Sequence, residues 1–148
     1  MQLITVLCDV TRETDGTTIQ KHSLFFSDLD GRDALCQVDG ASGHVMCTGP
    51  YPTPPGVPER SPLDLSRVRV DAEAAVDAAG ASVGSTVADR RAPDLLIGAL
   101  LQSGDEGPVW EISFDVWLDT GPVTDQTVRL DASTGAILEH RILGERRG

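Results

Sequence analysis

Aromatic residues and lysine are both scarce in this chain. Three Phe, two Trp and one Tyr make up 4% of 148 residues, and eleven of the twelve basic residues are Arg. No basic stripe interleaved with aromatics can be assembled from that supply, and the 23 acidic residues leave a formal charge of −11. Such a surface repels a phosphate backbone, which argues against a nucleic-acid partner but permits a basic patch on another protein. Long apolar runs are missing as well: none approaches the ~20 residues of a membrane span, so no membrane insertion is expected. The opening segment Met1–Val10 has no basic start and no small-residue cleavage site, and therefore no signal-peptide pattern. The three cysteines include no Cys-x-x-Cys pair. A chain of this length buries roughly 68–70% of its unfolded surface and needs neither disulfide nor metal to fold.

Two hairpin motifs stand out. Val38-Asp39-Gly40-Ala41-Ser42-Gly43-His44-Val45 and Leu130-Asp131-Ala132-Ser133-Thr134-Gly135-Ala136-Ile137 share an apolar residue, Asp, three small or polar residues, Gly, a variable residue and an apolar residue. A four-residue loop needs its last residue at positive φ, which Gly tolerates, and Asp accepts hydrogen bonds from loop amides. Asp39, Gly43, Asp131 and Gly135 are thus expected to build turns rather than to perform chemistry.

Strands are expected near residues 3–10 and 17–27, then on both sides of the first hairpin. Gly49–Pro62 carries six of the nine prolines and reads as an extended connector. It includes the PxxP spacing Pro52–Pro55, an SH3-type ligand pattern outweighed by the linker reading. Asp71 is placed to cap an alanine-rich helix over Ala72–Ala79, with Val70 packing on Ala75 and Gly80 as the stop. Residues 95–102 read as a strand. Trp110, Ile112, Phe114, Val116 and Leu118 alternate with polar positions, marking a strand with one buried face. Residues 127–130 and 136–142 form the last hairpin, and the tail 144–148 is expected to fray.

This order resembles the PepSY domain. Val70–Ala79 looks like that family's opening helix, Pro108-Val109-Trp110-Glu111-Ile112 like its Pro-x-Trp-x-Val strand, and Val128–Leu138 like its Val-x-Val-Asp-Ala-x-Thr-Gly-x-Val hairpin. The N-terminal half then reads as a degenerate repeat in which His22 or a neighbour replaces the Trp and the first helix is missing. The expected fold is α+β: two PepSY-like repeats of antiparallel sheet, the second with a covering helix. The expected division is 1–48, a connector at 49–62, and 63–148. The resemblance implies a non-catalytic protein-binding or inhibitory module that restrains a peptidase. The alternative is a structural or small-ligand-binding cell-envelope domain. It also implies a periplasmic or secreted location if the natural N-terminus is longer.

Candidate chemistry is sparse. With Asp39 paired to His44 and Val38 to Val45, Cys36 falls opposite Cys47, which suits either a cross-strand disulfide near the lower geometric limit or two adjacent buried thiols. A zinc site from Cys8, Cys36, His44 and Cys47 has suitable donors, but its members need not share a face. Gly80-Ala81-Ser82-Val83-Gly84 matches a nucleophile elbow, yet a helix precedes it where a strand is required. No cofactor, no metal and no catalytic set are expected. Trp117, beside Asp115 and Glu111, points away from the Trp110 face and is a candidate binding anchor, with packing on the other half as the competing role.

Overall fold

The computed structural model describes residues 1–13, 16–28, 30–56, 61–83, 95–118 and 121–142. The first four strands are β1 (Gln2–Glu13), β2 (Gly16–Ser27), β3 (Arg32–Asp39) and β4 (Val45–Pro52). A 3₁₀ turn at Leu65–Arg67 and helix α1 (Ala72–Ser82) follow. The chain ends in β5 (Leu95–Gly104), β6 (Gly107–Leu118), β7 (Gly121–Asp131) and β8 (Ile137–Ile142).

The strands form one antiparallel sheet in the order β4-β3-β2-β1-β5-β6-β7-β8. This corrects the expectation of two repeat sheets. The leading strands of the two halves pair with each other, Thr5 to Val10 against Gln102 to Ile97. Each half would otherwise expose a row of unpaired amides and carbonyls along that strand, and fusing the edges satisfies both rows. Each half is a four-stranded meander, so the sheet is two meanders joined at their first strands.

Only the C-terminal meander is covered by a described helix. The Asp71 carboxylate accepts from the Ala74 amide at 2.8 Å and caps α1. Ala72, Ala75, Val76 and Ala79 are buried at three- and four-residue spacing, a narrow stripe of small side chains that lets the helix lie close to β5, β6 and β7. The helix continues through Gly80 to Ser82, so Gly80 is not its stop. The core beneath it holds Leu95, Ile97, Ala99, Leu101, Trp110, Ile112, Phe114, Val128 and Leu130. Among the described residues no helix is long and apolar enough to cross a membrane.

The supposed connector begins later than its prolines suggest. Pro50 and Pro52 belong to β4, an edge strand, where a missing amide N–H need not break a ladder.

Candidate interaction surface

The strand registers make the duplication explicit. His22 lies between Cys8 on β1 and Val38 on β3, while Trp110 lies between Leu101 on β5 and Leu130 on β7. One pair further along, Leu24 lies between Val6 and Cys36 as Ile112 does between Ala99 and Val128. The backbone bonds within the two turns repeat. Gly40 donates its amide to the Gln20 carbonyl at 2.8 Å, and Ala132 to the Pro108 carbonyl at 3.0 Å. His22 therefore stands where the second half has Trp110.

Matched positions have unequal surroundings. Ile112, Phe114, Val128 and Leu130 are each 0% exposed beneath α1. Their counterparts Leu24, Phe26, Cys36 and Val38 are only half-buried, and Val45 at the edge is 54% exposed. The same apolar pattern thus faces a helix in one half and is left partly open in the other. Alternation puts Ser23, Gln37 and Asp39 on the opposite face together with the half-buried Leu7, Phe25 and Leu35, so what sets the helix side apart is its match to the covered face of the other half.

A groove of 310 Å³ marks the boundary between the covered and open regions. Val6, Cys8, Ile19 and His22 supply its sheet side, and Asp71, Ala72 and Glu73 its wall at the start of α1. Burial, then the neighbouring Asp9, pushes the Cys8 thiol up to about 11, so this cysteine is protonated and inert at neutral pH.

Two hydrogen-bonding groups anchor the covering layer in the second half. The Ala132 carbonyl accepts the amides of Arg69 and Val70, both at 2.9 Å, just before the helix. The Trp110 indole N–H donates to the Val70 carbonyl at 2.8 Å. Their counterparts are the Gly40 carbonyl and the His22 ring. Among the described residues no backbone amide donates to the Gly40 carbonyl.

The turn residues sit at the two hairpin tips. Asp131 Oδ1 accepts from Ser133 at 2.7 Å and Thr134 at 3.1 Å; Asp39 Oδ1 accepts from Ala41 at 3.0 Å and Ser42 at 2.7 Å. Gly43 and Gly135 take φ of 72° and 80°. Gly135→Ala is therefore expected to cost about 1–2 kcal/mol, the penalty of a Cβ in the left-handed region, measurable by urea unfolding. The Ser42 amide first, then the Ser42 hydroxyl and Ala41 amide, hold the Asp39 carboxyl below its usual 3.8. A depressed folded value means stability that is complete above the unfolded value and lost as pH falls through the folded one. Asp39→Asn should flatten that acid limb of the unfolding curve, checked by melts from neutral pH downward.

Cys36 and Cys47 are joined by a disulfide, with Cα atoms 4.1 Å apart and Val38 opposite Val45. Two of the four zinc candidates are thereby consumed, and among the described residues no three His, Cys, Asp or Glu are grouped to hold a metal. Gly84, the last residue of the elbow pattern, and the tail 144–148 lie outside the described residues. Glu111 and Asp115 share the face opposite α1 but stand about 13 Å apart along β6 by strand rise. Glu111 lines a shallow polar depression of 170 Å³ with Thr127, Arg129, Glu139 and Arg141. The Trp117 backbone in β6 pairs with Pro122 in β7, while its side chain lies outside the described residues. These three residues do not form a described common site.

Comparison with family models, curated proteins and solved structures finds no match to this chain. The PepSY resemblance thus rests on its three motifs alone. The open face was missed in the sequence, although the alignment of Leu24 and Phe26 with Ile112 and Phe114 across the repeat carried its signal.

Proposed function

We propose that the chain is a non-catalytic protein-binding module that receives its partner on the helix-side face of its N-terminal half. One observation carries this reading: Leu24, Phe26 and Val38 stay half-buried where Ile112, Phe114 and Leu130 are fully covered. A contiguous apolar patch rimmed by polar residues is a common mark of a protein-interaction site. The adjoining groove offers packing surface, and its one thiol is held protonated. The exposed position of the disulfide-bearing β3–β4 pair suits an oxidising compartment. A peptidase is the partner class that the PepSY resemblance names, and stoichiometric slowing of a peptidase would be its signature.

The test compares faces. Wild-type chain immobilised with its disulfide intact is expected to retain a partner in one-to-one ratio from its native secretions. Leu24→Asp should abolish retention, whereas Phe25→Asp, on the opposite face by alternation, should preserve it. Retention lost only with Phe25→Asp would contradict the reading, as would turnover of the retained molecule.

A further inference from the structure

We infer that the occupant of the open face is an amphipathic helix supplied by the partner, seated on β2 and β3 and bordered by β1, whose Cys8 and Val10 are already buried in the core, as α1 is seated on β5–β7. This rests on the binding reading above and specifies what binds. The two halves of the sheet present matched side chains at matched registers: Val6, Leu24 and Cys36 for Ala99, Ile112 and Val128; Cys8, His22 and Val38 for Leu101, Trp110 and Leu130. A surface of that pattern already accepts a helix once in this molecule, and the new site is continuous with that interface through Leu101 and Trp110 in the groove.

The seated helix also dictates the chemistry of its counterpart. α1 touches the sheet through Ala72, Ala75, Val76 and Ala79, so the sheet favours small residues at three- and four-residue spacing over bulky ones. Entry to α1 is fastened by two amides on the Ala132 carbonyl and by an indole N–H on the Val70 carbonyl. The open half repeats both fastenings in kind. The Gly40 carbonyl can accept the amides that lead into a helix, and the His22 ring carries an N–H donor in either tautomer. An added Cβ at Gly40 would stand 1.9 Å from the Ile19 carbonyl oxygen, so only glycine holds this carbonyl in place. Glu73 and Asp71 form the acidic wall between the two seats. The incoming helix is therefore expected to carry Lys or Arg on the flank beside α1.

A strand added at the edge is the competing mode of recognition. It would use β4 or β8 and leave the sheet face open, so the two modes separate cleanly in experiment.

The test is a selection against the full, oxidised chain from a displayed library of segments as long as Val68–Val83. Half of the library is patterned apolar at the helical period and half at the strand period. Enriched sequences should be helical in pattern, with an Ala/Val stripe and a basic flank. Their binding should shift the amide resonances of His22, Leu24 and Gly40. Leu24→Asp, and the isosteric Val38→Thr if the first variant unfolds, should weaken them about tenfold or more, roughly 1.4 kcal/mol. Enrichment of strand-patterned sequences that still depend on Leu24 would overturn the helix and leave the binding face standing. Binders indifferent to both substitutions, or no binders, would overturn the helix and the face together.

Discussion

Phe114→Ala should lower the unfolding free energy by about 3–5 kcal/mol, and Phe26→Ala, its counterpart in the other half, by less than half as much. Phe114 is 0% exposed, enclosed by the sheet and by α1. Deleting its ring leaves a cavity as well as removing transfer energy, and the surrounding core relaxes only in part. Phe26 occupies the same place in the register, on the strand beside the sheet centre and facing the same side. It is half-buried, so water fills the space and the cavity penalty largely disappears. Urea unfolding of the two variants beside wild type measures both. Equal losses would mean that something covers β2 as closely as α1 covers β6.

Reducing the Cys36–Cys47 disulfide, or replacing both residues by Ser, should cost ~2–3 kcal/mol by loop-closure entropy. The sequence separation of 11 makes the closed loop short, which keeps the effect at that level. Its location gives a second, sharper expectation. The matching position on β7 and β8 places the fully buried Val128 beside His140, whose ring bonds Gln126 at 2.6 Å, so β7 is held by packing under the helix and β8 by its ladder and side-chain bonds. The uncovered half has a covalent link instead. Hydrogen exchange after reduction should therefore accelerate in β3 and β4 while β6 and β7 keep their protection. Uniform acceleration across the sheet would show that the bridge supports the whole sheet rather than its open half.

Features set by local chemistry were legible in the sequence. The Asp–Gly loops at 39–43 and 131–135 fixed both hairpins, because Asp131 and Asp39 each satisfy loop amides within three residues of themselves. That turn geometry carried outward to set Cys36 against Cys47. The Asp71 cap was equally local. The fusion of the two sheets was not legible, since it depends on β1 meeting β5 across some ninety residues, and neither strand's pattern distinguishes an edge from an interior position. Gly80 reads as a helix stop by propensity, but the helix runs on, with the Arg12 guanidinium lying against that glycine. The open face is a relation between elements. Leu24 and Phe26 look like core in the sequence, and only the placement of the sole described helix over the other half leaves them uncovered.

Matched positions on β2–β3 and β6–β7, and at the edge of the β1–β5 seam, differ in what lies above them. Val6 and Ala99 are such a pair, both on the helix side beside the central β1–β5 seam. In a Cys8→Ala background with the disulfide intact, Val6→Cys and Ala99→Cys each place one thiol for labelling with a maleimide. The Val6→Cys thiol should react under native conditions, and the Ala99→Cys thiol, at a site now 0% exposed, only as fast as the molecule unfolds. Equal protection of the two thiols would contradict the claim.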